Sequence, residues 1–127
     1  MNILVIENEE FLAENLCQYL KQIENLNLEY ATSARQALQL LSQQRFDLLI
    51  SDLWMSDTKS EDWLWQVANI NPGQKLIIIS SYPVPQQIGS SSGLNIIGYF
   101  EKPFDVHELG RTINRLIAET SEAKIND

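Results

Sequence analysis

The segment Leu48-Leu49-Ile50-Ser51-Asp52 decides the fold class, because a short apolar run ends there in a hydroxyl and a carboxylate. A continuous apolar run of this length is typical of a strand that is covered on both faces. Further strands are predicted from similar runs at residues 3–6, 26–30, 76–79 and 96–100. The run at 26–30 alternates apolar and polar residues, as expected of a strand at the edge of a sheet.

Amphipathic helices are predicted between these strands. Apolar residues with helical spacing occur in four segments, residues 12–20, 34–41, 63–67 and 109–117. Ser33 followed by Gln36, and Asp105 followed by Glu108, predict capping boxes for the second and the last of these helices. Strands that alternate with helices indicate right-handed crossovers and a mainly parallel sheet with helices on both faces. The predicted fold class is α/β.

Two segments depart from this regular alternation. Between Tyr82 and Gly93 the chain contains two prolines and a glycine, followed by the run Ser90-Ser91-Ser92-Gly93, so the helix expected there is predicted to be short or irregular. The polar end of the chain, residues 121–127, is predicted to be a disordered tail or the start of a linker. Residues 1–120 are therefore expected to form one domain.

Composition and charge exclude several classes of function. The chain has 127 residues, of which 44% are hydrophobic, and it has a net charge of −8, which repels the phosphates of nucleic acids. With Cys17 as the single cysteine, neither an internal disulfide nor a cysteine-based zinc site is possible. Neither a membrane span nor a signal peptide is evident. We expect a cytoplasmic protein that does not bind nucleic acid or membranes directly.

Polar residues follow four of the predicted strands. In an open α/β sheet the site lies beyond the carboxyl ends of the strands. Two carboxylates from neighbouring strands suit a hard cation such as Mg²⁺, whereas a hydroxyl and a lysine suit a phosphoryl group. The residues at these strand ends are Glu7-Asn8, Asp52, Ser80 and Lys102-Pro103.

This ordered set, with its spacings, resembles the receiver domains of two-component response regulators, and the likeness covers residues 1 to about 120. The resemblance implies a flavodoxin-like, doubly wound three-layer sandwich with five parallel strands in the order 2-1-3-4-5. It implies that Asp52 accepts a phosphoryl group from a histidine kinase or a phosphotransfer protein. Such a domain catalyses its own phosphotransfer and dephosphorylation but is a signalling domain rather than an enzyme.

The resemblance also assigns the metal ligands. Mg²⁺ is expected to bind Glu7, Asn8, Asp52 and the backbone carbonyl of Trp54. Because the second position of the usual acidic pair is Asn8, the pocket has one formal charge fewer than the family pattern. Asn8 is also a good helix N-cap, and this alternative stays open beside metal ligation. Ser56 and Ser60 stand where the family commonly has proline and glycine.

The remaining roles concern the phosphoryl group and the switch. Ser80 is expected to hydrogen-bond the phosphoryl oxygens and Lys102 to pair with them, the peptide bond from Lys102 to Pro103 being typically cis in this family. Ser80 and Tyr99 are expected to move inward together upon activation.

Two other functions compete with a phosphoacceptor. A pseudo-receiver would signal by protein contact without phosphorylation, for which Asn8 and the interrupted fourth helix give reason. A phosphatase of the haloacid dehalogenase type is the less favoured alternative, because Trp54 occupies the position of its second aspartate. The downstream partner is open, and a homodimer is possible.

Overall fold

The computed structural model describes residues 1–83 and 93–126, and for residues 60, 61 and 121–126 it describes the backbone alone. Within these ranges five parallel strands form one open sheet in which the second strand of the chain is followed by the first, third, fourth and fifth, and this order confirms the predicted topology. The strands are β1 (Asn2–Ile6), β2 (Asn27–Ala31), β3 (Leu48–Asp52), β4 (Lys75–Ser80) and β5 (Asn95–Glu101).

Helices cover both faces of the sheet. The described helices are α1 (Glu10–Leu20), α2 (Ala34–Gln43), α3 (Ser60–Ile70) and α4 (Val106–Asn126). Alternate residues of β1 point into two separate cores: Leu4 and Ile6 lie in the core that contains α2 and α3, whereas Ile3 and Val5 lie in the core of α1 and α4. Since side chains alternate along a strand, a central strand that is apolar throughout stabilises both layers.

The position of β3 in the sheet determines where the site lies. All five residues of β3 are buried, and β1 and β4 flank it. Asp52 pairs in register with Ile79, so the carboxyl ends of β3 and β4 lie side by side. At the edge of the sheet β2 alternates between exposed and more buried residues, as predicted from its sequence.

The helix caps follow the sequence prediction in part. Ser33 Oγ accepts the backbone N–H of Gln36 at 3.0 Å, as predicted. The side chain of Gln36 accepts the backbone N–H of Thr32 at 2.9 Å instead of that of Ser33, so the reciprocal half of the predicted box is shifted by one residue. Asp105 Oδ1 accepts the N–H of His107 at 2.9 Å, so this aspartate caps the start of α4 without the side chain of Glu108.

Two segments were predicted to be irregular, one before the last strand and one at the end of the chain. The predicted short or irregular helix falls on residues 84–92, which lie outside the described residues. The backbone of α4 is helical to Asn126, in a segment for which the sequence predicts a disordered tail or the start of a linker from residue 121. Glu, Ala and Lys in this stretch have high helix propensity, which explains the longer helix. The domain boundary at residue 120 stays a prediction.

Among the helices described here, none is long and apolar enough to span a membrane.

Candidate functional site

Two acidic side chains and one lysine meet at the carboxyl edge of the sheet. Lys102 Nζ lies 2.6 Å from Glu7 Oε2 and 2.9 Å from Asp52 Oδ2. Glu7 follows β1 directly, Asp52 ends β3, and Lys102 follows β5. The three side chains are largely buried, with 2%, 9% and 15% of the side-chain surface of Glu7, Asp52 and Lys102 exposed. The topology therefore brings together three of the residues that the sequence singled out.

The backbone of Lys102 is bonded to the neighbouring strand. Its N–H donates to the carbonyl of Ser80 at 2.8 Å, which continues the pairing of β4 with β5 for one residue beyond the strands. The peptide bond between Lys102 and Pro103 is cis, as the resemblance implied.

The charges in this cluster perturb one another. Burial raises the pKa of Glu7, and the charge of Asp52 raises it further, against the opposing effect of Lys102. For Lys102, burial works to lower the pKa, but hydrogen bonds and attraction from the two carboxylates outweigh it and the pKa is raised. Lys102 is therefore an ammonium at neutral pH. Two carboxyl groups thus share one ammonium, an arrangement that suits a further cation.

The hydroxyl of Ser80 is already engaged. Ser80 Oγ accepts the indole N–H of Trp54 at 2.9 Å and the backbone N–H of Tyr82 at 3.1 Å, and it donates to the carbonyl of Tyr82 at 2.6 Å. A serine hydroxyl has one proton and two lone pairs, so these three bonds use its full capacity. The rings of Trp54 and Tyr82 meet edge to face, with their centroids 6.0 Å apart.

Asn8 binds the loop after β3 and does not cap α1. Its Nδ2 donates to the carbonyl of Trp54 at 2.8 Å, and its Oδ1 accepts the N–H of Ser56 at 3.1 Å and the hydroxyl of Ser56 at 3.2 Å. The N-cap of α1 is Glu9, without a side-chain cap hydrogen bond. The cap interpretation of Asn8 is therefore wrong, because the partners of its amide lie across the site rather than in the first turn of α1.

Asp57, which the sequence analysis missed, attaches the same loop to α2. Its two carboxylate oxygens accept the backbone N–H groups of Ala34 and Arg35, each at 3.0 Å. Burial alone would raise the pKa of Asp57, but these backbone hydrogen bonds outweigh it and the pKa is lowered. A cap contributed from more than twenty residues away leaves no local sequence signal, because capping patterns are read from adjacent residues.

Tyr99, the two tryptophans of α3 and Cys17 lie apart from this cluster. Tyr99, on β5 opposite Ile78, is 51% exposed and thus outward in this structure. Trp63 is fully buried and donates to Ser51 Oγ at 3.1 Å, whereas Trp65 is 64% exposed. Cys17 is buried, as expected of a small apolar side chain.

The oxygen atoms at the site match the ligand type that Mg²⁺ prefers. They comprise the carboxylates of Glu7 and Asp52, the carbonyl of Trp54 and the amide oxygen of Asn8, all hard donors. Within residues 1–83 and 93–126, no group of three or more His, Cys, Asp or Glu side chains is placed to hold a metal ion. The oxygen donors fit a magnesium site that contains two carboxylates. Three of these oxygens already accept N–H groups of the chain: Lys102 donates to one oxygen of each carboxylate, and Asn8 donates to the carbonyl of Trp54.

Comparison with known proteins defines the class. A family model described as the response regulator receiver domain matches residues 3–114. The chain therefore belongs to the receiver domain family of two-component response regulators, which act as signalling domains and typically bind Mg²⁺ at the phosphorylation site.

Curated relatives are longer than this chain. The probable transcriptional regulator ycf29 of Porphyra purpurea is 30% identical over 122 residues, which cover 94% of this chain and 58% of the relative. The transcriptional regulatory protein ZraR of Escherichia coli (strain K12) is 26% identical over 120 residues, covering 94% of this chain and 27% of that protein. The chain thus spans about half the length of the first relative and about a quarter of the length of the second.

Solved structures support the same fold. A signal receiver domain of an HD domain-containing protein from Pseudomonas fluorescens Pf-5 is similar with a TM-score of 0.81 and 26% identity, over 95% of this chain and 97% of the other. A CheY-like receiver domain protein from Methanospirillum hungatei JF-1 has a TM-score of 0.82 at 21% identity, over 96% and 97%. The latter likeness concerns the fold alone.

Proposed function

We propose that Asp52 accepts a phosphoryl group from a phosphohistidine of a histidine kinase or a phosphotransfer protein, in a Mg²⁺-dependent step. The observation that carries this proposal is the position of Lys102 Nζ between Glu7 and Asp52, at 2.6 and 2.9 Å. A carboxylate that attacks a phosphoryl donor needs positive charge beside it, because both reactants are anionic. The site provides this charge at the attacking group itself.

The proposed transfer involves only Asp52 and the phosphohistidine as reactants. An Asp52 carboxylate oxygen attacks the phosphorus and an acyl phosphate forms on Asp52. The P–N bond breaks with its electron pair going to the ring nitrogen, and the histidine leaves as neutral imidazole because its other ring nitrogen carries a proton. Lys102 is within reach of Asp52 and stabilises the negative charge on the transferred oxygens. Glu7, Asn8, Asp52 and the carbonyl of Trp54 would hold Mg²⁺, which would supply further positive charge there. The product gives the site additional negative charge and new acceptor oxygens.

A small phosphodonor tests this proposal without knowledge of the kinase. Incubation with acetyl phosphate and Mg²⁺ should add one phosphoryl group, visible by intact mass, and none in Asp52→Asn. The matched control is Asp62→Asn, which alters an exposed aspartate on α3 and should leave the labelling in place. Labelling of Asp52→Asn, or an unmodified wild type under conditions that label other receivers, would contradict the proposal.

A pseudo-receiver is the second candidate, and one observation favours it. Asn8 Nδ2 donates to the carbonyl of Trp54, and Lys102 bonds both carboxylates, so the oxygens of the site have N–H partners within the chain itself. A site of this kind is stable without metal. Binding of beryllofluoride with Mg²⁺ separates the two candidates, since a pseudo-receiver gives no saturable binding.

The proposed partners are proteins. The net charge of −8 opposes direct contact with nucleic acid, and the regulator names of the longer relatives concern those whole proteins. We propose a cytoplasmic kinase or phosphotransfer protein upstream and a protein partner, a joined output domain or a second copy downstream. The buried free thiol of Cys17 agrees with a reducing compartment.

A further inference from the structure

Trp54 is connected to both groups that are expected to contact the phosphoryl group. Its backbone N–H donates to Asp52 Oδ1 at 2.9 Å, while its indole N–H donates to Ser80 Oγ at 2.9 Å. The carbonyl of Trp54 accepts a hydrogen bond from Asn8 Nδ2 at 2.8 Å. Trp54 thus links the acceptor carboxylate to the hydroxyl before any phosphoryl group is present.

The bond to Ser80 conflicts with the role proposed for that hydroxyl. A phosphoryl oxygen needs a hydrogen-bond donor, but the single proton of Ser80 is given to the carbonyl of Tyr82 at 2.6 Å. To reach a phosphoryl group on Asp52, the hydroxyl must turn away from Tyr82. Its lone pairs then turn with it, so that the indole N–H of Trp54 loses the acceptor that it has now.

We propose that the indole N–H of Trp54 competes with the phosphoryl group for Ser80, so that Trp54 is a positioning residue that favours the unphosphorylated state. This inference rests on the proposed function. Trp54 is 38% exposed, so water partly replaces the lost bond when the indole is released. A neutral hydrogen bond of this kind contributes a net factor of about three to ten to an equilibrium.

The neighbouring ring carries the change to the surface. Tyr82 contacts the Trp54 ring edge to face and is 63% exposed, and both of its backbone groups bond Ser80. Rotation of the Ser80 hydroxyl therefore alters the hydrogen bonding of both Tyr82 and Trp54. The aromatic pair of Trp54 and Tyr82 then reports phosphorylation on the outside of the domain, separately from any movement of Tyr99.

Beryllofluoride with Mg²⁺ serves as the probe, and calorimetry measures its affinity. Trp54→Phe keeps an aromatic ring but removes the N–H, and it should raise the affinity about three- to tenfold. Trp65→Phe removes an exposed tryptophan from α3 and should leave the affinity unchanged. In the Ser80→Ala background, Trp54→Phe should give no gain, because the group for which the indole competes is gone.

Indole resonances in proton–nitrogen NMR spectra give a second readout that does not depend on affinity. The chain has three tryptophans, and the two Phe variants assign them. The Trp54 indole proton should exchange faster with water in Ser80→Ala and in wild type saturated with the analogue. The Trp63 proton, buried against Ser51, should not change.

The results separate this inference from the proposed function. If wild type binds the analogue but Trp54→Phe gains nothing, loses affinity, or gains equally without Ser80, the competition is refuted and the phosphoacceptor role stands. Lost affinity would mean that the indole N–H assists the phosphoryl group directly. If neither wild type nor Trp54→Phe binds the analogue, both proposals are overturned, because removing the competitor has not opened the site.

Discussion

The side-chain amide of Asn8 and the backbone carbonyl of Trp54 form a hydrogen bond of 2.8 Å across the candidate metal site. The oxygen of the same amide accepts the N–H of Ser56, so one neutral side chain hydrogen-bonds two residues of the loop that follows Asp52. An aspartate at position 8 lacks the N–H donor and brings a carboxylate to the carbonyl of Trp54. The identity of residue 8 therefore affects both the metal-free loop and its affinity for a cation.

Asn8→Asp should bind Mg²⁺ about tenfold more tightly than wild type, because a carboxylate attracts a divalent ion more strongly than an amide does, by about 1 to 2 kcal/mol after desolvation. Without metal the variant should unfold at lower denaturant concentration, since the bond to Trp54 is lost. Mg²⁺ titrations followed by tryptophan fluorescence measure the first effect, and urea unfolding measures the second. Asn8→Ala is the matched control, which loses the same bond and gains no charge. Equal dissociation constants for wild type and Asn8→Asp would exclude residue 8 from the metal site.

Lys102→Met should lower the free energy of unfolding by about 2 to 4 kcal/mol, because it leaves Glu7 and Asp52 buried beside each other without a cation. Mg²⁺ should restore more stability to this variant than it adds to wild type, since the lysine no longer competes for the carboxylates. Thermal unfolding with and without Mg²⁺ measures both effects. The double variant Glu7→Gln/Lys102→Met should lose less stability and respond less to the ion. If Mg²⁺ stabilised Lys102→Met by no more than it stabilises wild type, Lys102 and the metal would not compete for the same carboxylates.

Trp63→Phe should separate a structural tryptophan from a functional one. Trp63 is fully buried, and its indole N–H donates to Ser51 Oγ at 3.1 Å, next to the acceptor residue but inside the core. Losing this bond and part of the ring should lower the free energy of unfolding by about 1 to 3 kcal/mol, measured in urea. Labelling by acetyl phosphate should be unchanged in the folded variant. A gain in labelling would mean that any loosening of the sheet opens the site.

The sheet and the strand-end residues were predictable from the sequence, for one physical reason. A central strand such as β3 is buried on both faces, so it is apolar throughout and ends abruptly where the polar site begins, at Asp52. Parallel strands bring their carboxyl ends to one edge, and the linear order of Glu7, Asp52 and Lys102 thereby predicts a cluster. The structure places Lys102 Nζ within 2.9 Å of both carboxylates.

The hydrogen bonds among the loops were not predictable in the same way. The bond from Trp54 to Ser80 and the bonds from Asn8 to Trp54 and Ser56 join residues 26 to 48 positions apart. They depend on rotamers and loop conformations that helical or strand periodicity does not encode. The sequence therefore predicted that these strand-end residues gather at one edge of the sheet. Of the two roles it left open for Asn8, the helix cap is wrong, because the amide bonds the opposite loop, and metal ligation stays a prediction.

Asp57→Asn tests the attachment of that loop to α2 through its dependence on pH. The Asp57 carboxylate accepts two backbone N–H groups at the start of α2, and its pKa is lowered from the ordinary value of 3.8. A group whose pKa is lower in the folded state stabilises the fold above its unfolded pKa, and this contribution is lost as the pH falls through the folded value. Wild type should therefore exceed Asp57→Asn in unfolding free energy by about 1 kcal/mol at pH 7, a modest amount because the site is largely exposed.

This difference should stay constant between about pH 7 and pH 5 and shrink as the pH falls below about 4, because protonated Asp57 no longer offers two anionic acceptors. Urea unfolding at a series of pH values measures it. Asp62→Asn, at an exposed position on α3, is the matched control and should show little difference from wild type at any pH. If the stability lost in Asp57→Asn were the same at pH 3 as at pH 7, the carboxylate charge would not be what caps α2, and the loop after Asp52 would be held to that helix by its neutral contacts alone.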